Sequence, residues 1–177
     1  MSGQRLSGFP AIAARGARVL ILGSMPGAAS LAARCYYAHP RNQFWPIVGT
    51  VTGAAPGLPY GRRIAALRAA DIALWDVVAS CQRRGSLDTA IERASLKVND
   101  FAGFFERHPH VASVLFNGAT AEALFRRVVL PTLRARALEL VRLPSTSPAH
   151  AGLSRERKLV MWRRALLHAL GRGALTD

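Results

Sequence analysis

Hydrophobic positions along the chain gather into four short runs rich in Val, Ile and Leu, at residues 17–22, 71–75, 111–116 and 137–143. Runs of this kind suit strands covered on both faces, because a strand with one wet face alternates apolar and polar residues. Helical spacing fills the gaps between them. Residues 61–70 place Ile64 and Leu67 three apart, residues 119–129 follow an Asn-Gly-Ala-Thr start signal, and residues 156–170 carry Leu159, Trp162, Leu166 and Leu170 on one stripe. Strands alternating with helices predict an α/β fold, a three-layer α/β/α sandwich around a central, mostly parallel four-stranded sheet with right-handed crossovers. There is no internal repeat, linker or low-complexity block, so residues 1–177 read as a single domain.

In such a fold, ligands bind where loops leave the carboxyl ends of the strands. That rule selects residues 23–47, 76–86, 117–120 and 144–153, which are also the stretches richest in Gly, Pro, Ser, Thr, Asn and His. Position and composition point to the same loops.

Composition narrows the partners. The 177 residues are half hydrophobic, enough for a real core, yet no uncharged run is long enough to span a membrane, and no leader pattern with a cleavage site opens the sequence. Two cysteines, Cys35 and Cys81, supply neither a disulfide framework nor a four-thiolate metal cluster, which fits a reducing cytoplasm. Twenty-four Lys and Arg against ten Asp and Glu give a net charge of +14 and favour a polyanion as partner. A genome rich in Arg and Ala codons explains part of that bias but not the scarcity of acids. No segment is a clear amphipathic anchor, so nucleic acid is preferred over a membrane surface.

Several chemistries can be set aside. Gly23-Ser24-Met25-Pro26-Gly27 lacks the Lys-Ser/Thr of a phosphate-binding P-loop and is not G-x-G-x-x-G, so no nucleotide cofactor is expected. Ser24 directly follows Gly23, which is the wrong spacing for a nucleophile elbow. His39, His108, His110, His150 and His168 show no metal-ligand spacing, and no metal is expected. Aromatic and amide chemistry remains. Tyr36, Tyr37, Phe44 and Trp45 can form a flat wall, and Asn42 offers a neutral donor and acceptor. Such a set suits stacking on a heterocycle and orienting a water. Trp45 and Ile47 read as the core face of a helix starting near Asn42. Phe44 and Asn42 read as site residues, with core packing the competing reading of Phe44.

The stretch GSMPGAASLAARCYYAHPRNQFWPI (Gly23 to Ile47) resembles motif 1 of the uracil-DNA glycosylase superfamily, specifically its hypoxanthine-DNA (deoxyinosine) glycosylase branch. The likeness continues in order through LWDVVASCQRRGSLD (Leu74 to Asp88), LFNGATAEALF (Leu115 to Phe125) and LPSTSPAHAGLS (Leu143 to Ser154), and it covers most of the chain.

The resemblance implies a monofunctional DNA glycosylase that needs no cofactor and acts as a cytoplasmic monomer on DNA containing deaminated bases. Many superfamily members place a water-activating Asp or Asn where Met25 stands, so the resemblance passes that duty to Asn42. It further implies a base pocket of Ser24, Met25, Pro26, Gly27, Tyr37, Phe44, Asp76 and Asn117, with the Phe44 ring stacking on the extruded base. Asp76 falls where relatives keep a base-reading Asn, and Asn117 either lines the pocket or caps the following helix. Ser145, Thr146, Ser147 and His150 stand where relatives pinch the DNA strand, with Leu143 in place of a histidine. Lys97 and Lys158 read as helix-surface residues, which disfavours a Schiff-base lyase. The departures at Met25, Asp76 and Leu143 keep open a second reading, a catalytically weak DNA-binding or damage-sensing module on the same fold. A small-molecule α/β hydrolase with a merely compositional basic surface is a third.

Overall fold

A computed structural model describes residues 5–133 and 136–172. Four parallel strands form the main sheet: β2 (Val19–Gly23), β3 (Ile72–Asp76), β6 (Ser113–Asn117) and β7 (Glu139–Leu143), in the spatial order β3-β2-β6-β7. These are the four expected strands, each within two residues of the apolar run that predicts it. The chain leaves β2 toward β3 on one side, then returns to place β6 on the other. That reversal of direction opens a crevice beyond the strand ends.

Alternation along the strands divides the core in two. Val19, Ile21, Ile72, Leu74 and Leu115 face α2 (Phe44–Thr52), α3 (Tyr60–Ala69) and α6 (Arg155–Ala169). Leu20, Leu22, Ala73, Trp75, Val114 and Phe116 face α4 (Phe101–Arg107) and α5 (Ala119–Leu124), which runs on into a π-helical turn at Phe125–Val129. The three-layer α/β/α sandwich is therefore the observed architecture. Trp162 and Leu166 on the stripe of α6 are fully buried, as are nearly all of Trp45 and Ile47.

Local chemistry sets the helix ends near the crevice. Asn42 Oδ1 accepts the amide of Phe44 at 3.0 Å, satisfying a donor that the first turn of α2 leaves open. Pro46 sits in that first turn, where its missing N–H costs nothing. Gly53 closes the helix with a φ of 76°, a left-handed conformation that glycine adopts freely. A short helix, α1 (Ala28–Ala33), follows the turn after β2.

A second, antiparallel sheet has no counterpart in the expected elements: β1 (Arg5–Ser7), β4 (Val78–Gln82) and β5 (Lys97–Val98), in the order β1-β4-β5. The stretch 76–86, expected as a loop, therefore contains a strand. Lys97 lies on β5 rather than on a helix surface.

Candidate active site at the carboxyl edge of the sheet

Strand register fixes the positions of the polar groups. Gly23 pairs with Asp76 and Asn117 with Leu143, so the last residues of all four strands line up along one edge. Above them lies a cavity of about 980 Å³ that receives all four segments chosen from the sequence. Asn42, Ser24, Met25, Pro26, Gly27, Tyr37, Asp76, Asn117, Ser145, Thr146, Ser147 and His150 all line it.

The turn after β2 is tied down on every side. The Gly23 and Ser24 carbonyls accept the amides of Val77 and Val78 at 2.9 Å each. The Pro26 carbonyl accepts from the Arg83 guanidinium at 2.5 Å, and the Ala28 amide donates to Ser86 Oγ at 2.9 Å. Met25 turns its side chain into the apolar core and presents no polar atom to water. At Gly23 a β-carbon would overlap Asp76 Oδ1 and come within 3.0 Å of the Tyr37 hydroxyl, so the strand end approaches these groups as only glycine permits.

Phe44 is placed differently from the expectation. Its side chain is 0% exposed and does not border the cavity. Its ring stacks on Tyr37 with centroids 3.9 Å apart and 18° between planes, and meets Trp45 and Trp162 edge-on. Position 44 opens α2, and the helix phase turns it inward with Ile47 and Val48. Tyr37, held at a φ of 55°, is the ring presented to the cavity, with Phe44 as its backing. Neighbouring Tyr36 is clamped by a hydrogen bond from its amide to the Tyr60 hydroxyl at 2.9 Å and one from Trp45 Nε1 to its carbonyl, also at 2.9 Å.

Two carboxyls meet near the turn. Asp76 is 3% exposed, and its Oδ2 is buried without a hydrogen-bond partner. Burial pushes its pKa up to about 7, the nearby Asp88 charge adds to the rise, and Arg83 opposes it. Asp88 also rises through burial, opposed by hydrogen bonding from Ser24 and by Arg83. Ser24 Oγ lies 2.7 Å from both of its carboxylate oxygens. The Tyr37 hydroxyl is likewise buried and makes no hydrogen bond of good geometry; burial, then the Asp76 charge, holds it well above the usual phenol range, and the Asn117 side chain opposes that rise.

On the opposite side the polar groups satisfy one another. Asn117 Nδ2 donates to Thr146 Oγ1 at 2.9 Å, and the Thr146 amide donates back to Asn117 Oδ1 at 2.8 Å. Asn117 is therefore not the side-chain cap of α5, whose N-cap is Gly118. Thr146, expected on the DNA strand, is 0% exposed; its carbonyl also accepts the Gln43 amide at 3.0 Å, so it fastens two loops together. Ser145 and Ser147 each accept an amide two residues on, which shapes the loop, and His150 is exposed at its outer end. Lys158 is not on the surface but 4% exposed, donating to the His150 carbonyl at 2.6 Å, while Trp162 Nε1 donates to Pro144 O at 2.9 Å. Both anchor the loop to α6.

Asp88 and His39 also line the cavity, and neither stands out in the sequence. The only early sign of Asp88 was its position at the end of the block LWDVVASCQRRGSLD in a chain poor in acids.

The arrangement defines a class: a doubly covered parallel sheet with a backbone-lined cavity at its carboxyl edge, walled by a tyrosine and holding a buried carboxyl. The family model of the uracil DNA glycosylase superfamily matches residues 9–171. The chain belongs to that superfamily. It is 35% identical over 152 residues to hypoxanthine DNA glycosylases of Methanosarcina acetivorans and Methanosarcina barkeri, covering 85% of this chain and 92% of each relative. A solution NMR structure of a Methanosarcina acetivorans protein, provisionally described as a uracil DNA glycosylase, superposes with a TM-score of 0.75 at 32% identity, covering 94% of this chain and 99% of that one.

Proposed function

We propose that the protein is a monofunctional DNA glycosylase that hydrolyses the N-glycosidic bond of deaminated bases, hypoxanthine first and uracil or xanthine besides, leaving an abasic site. The observation that carries the reading is the cavity at the strand ends, built from the motif residues in a chain 35% identical to hypoxanthine DNA glycosylases over most of its length. The net charge of +14 suits a DNA partner, and a single such domain can act as a monomer. The proposed place of work is the cytoplasm; among the described residues no helix is long and apolar enough to cross a membrane.

A duplex hides the glycosidic bond, so the nucleotide must rotate out at a cost of a few kcal/mol. Arg side chains and the 145–150 loop hold the strand beside the cavity, and the base enters between the Ser24–Gly27 backbone and the Tyr37 ring. As the C1′–N bond lengthens, its electron pair goes to the base and the sugar becomes cationic. Donors aimed at the departing base then stabilise charge that the ground state lacks, which lowers the barrier. The Phe44 amide fixes Asn42 Oδ1, leaving that oxygen's second lone pair and the NH2 group to orient the water that bonds to C1′. Amides are poor bases, so leaving-group stabilisation carries most of the rate.

Asn42→Ala should lose most excision from a deoxyinosine duplex, read as alkali-dependent strand cleavage, while still binding DNA and melting as a folded protein. Near-normal turnover would overturn the role of Asn42. Wild-type protein that binds but never cuts would instead favour the catalytically silent module.

A further inference from the structure

Buried polar atoms without hydrogen-bond partners are rare in folded proteins, and two of them, Asp76 Oδ2 and the Tyr37 hydroxyl, belong to residues that line the cavity. Asp76 is nearly inaccessible, and its Oδ1 lies over the bare Cα of Gly23. None of the ion pairs among the described residues includes it. Arg83, the nearest strong cation in electrostatic terms, spends Nε and Nη2 on the carbonyls of Gly85 and Pro26, keeps Nη1 buried without a hydrogen-bond partner, and opposes the rise at Asp76 through its charge alone. Ser24 Oγ lies within reach of both oxygens of Asp88 and opposes the rise that burial imposes on that carboxyl, and the charge Asp88 carries raises Asp76 further.

We infer that Asp76 meets the extruded base as a neutral carboxylic acid, its O–H donating to the lactam carbonyl and its C=O accepting from the adjacent ring N–H. The inference rests on the glycosylase reading and names the chemistry its pocket recognises: the N–H/C=O edge common to hypoxanthine, uracil and xanthine. An ionised carboxylate presents two acceptors, and one would oppose the lactam oxygen. It would also repel the negative charge that spreads onto that oxygen as the glycosidic electron pair leaves. A neutral acid instead donates to the growing charge, and Tyr37, which stays protonated, can supply a second donor. No proton need leave Asp76: water supplies the hydroxyl that bonds to C1′ and the proton that ends on the released base.

The titratable and charged groups around Asp76 come from every wall. Tyr37 and His39 lie between α1 and α2, Arg83 and Asp88 follow β4, and Arg142 and His150 belong to β7 and the loop after it. Behind the site Tyr36 and Tyr60 are both held neutral, and Asn99 donates to the Asp76 carbonyl at 2.8 Å. Burial is the largest cause of the raised Asp76 pKa, which puts the loss of its proton near neutrality.

The test is single-turnover excision of hypoxanthine, uracil and xanthine by wild type, Asp76→Asn and Asp76→Ala from about pH 6 to about pH 9, joined to a ¹³C titration of the Asp76 carboxyl. Wild-type rate should fall about tenfold per pH unit once Asp76 ionises. Asp76→Asn, which keeps one donor and one acceptor, should stay within about tenfold of wild type near pH 6 and lose that alkaline decline. Asp76→Ala should lose about 100-fold or more throughout while still melting cooperatively. A flat wild-type profile, an Asn variant as inactive as the Ala variant, or a carboxyl midpoint near 4 overturns the neutral acid. Failure of wild type to excise any of the three bases overturns the glycosylase reading instead, and the carboxyl titration separates that result from a failure of this inference.

Discussion

The two halves of the cavity wall are built from the same kinds of residue and treat them in opposite ways. Across β6 and β7, Asn117 and Thr146 exchange two hydrogen bonds, the 144–150 loop is fastened by Lys158 and Trp162, and the polar side chains are spent on the protein itself. Across β2 and β3, the Tyr37 hydroxyl and Asp76 Oδ2 are buried without hydrogen-bond partners. A polar atom hidden from water without a partner costs free energy, so a wall that leaves such atoms suits a ligand that supplies the partners. On the proposed function, the saturated wall acts as scaffold and the unsaturated wall as the recognition surface.

The comparison can be broken by substitution. The largest stability loss should come from behind the recognition wall: Phe44→Ala empties a fully enclosed site and should destabilise by about 3–5 kcal/mol in denaturant unfolding. If Phe44 instead stacked on the base, the variant would unfold normally and only its affinity for an abasic-site control against an intact lesion would change. Asn117→Ala should cost about 2 kcal/mol, because it strands the Thr146 amide and hydroxyl. A loss under about 0.5 kcal/mol would show that the scaffold wall is not held by that pair. Tyr37→Phe should shift stability least, within about 0.5 kcal/mol, since the hydroxyl it removes makes no hydrogen bond of good geometry. That same variant should slow excision about tenfold, and equal rates for Tyr and Phe would remove the hydroxyl from the recognition surface.

The sequence showed the frame of the site well. Apolar runs flanked by turn residues marked the four parallel strands, and the carboxyl-edge rule then found the loops that line the cavity. The small sheet escaped because its strands are two to five residues long and pair residues far apart in sequence, such as Leu6 with Cys81. Lys158 read as a surface residue because lysine on a helix normally is one; only the carbonyl of His150 explains its burial.

What the sequence determined by itself was the alternation of strand and helix, the family, and the set of segments that gather at one edge, because hydrophobic period and turn chemistry are local properties. Which aromatic ring faces the cavity, and which merely supports it, was decided by the phase with which α2 leaves Asn42. Whether a polar side chain is spent or spare was decided by partners brought in from other segments: Thr146 for Asn117, Asp88 for Ser24, and no hydrogen-bond partner for Asp76 Oδ2. Those partners stand 29 and 64 residues away along the chain. Hydrogen bonding acts over a few ångströms of space, so it is legible only once the chain has folded.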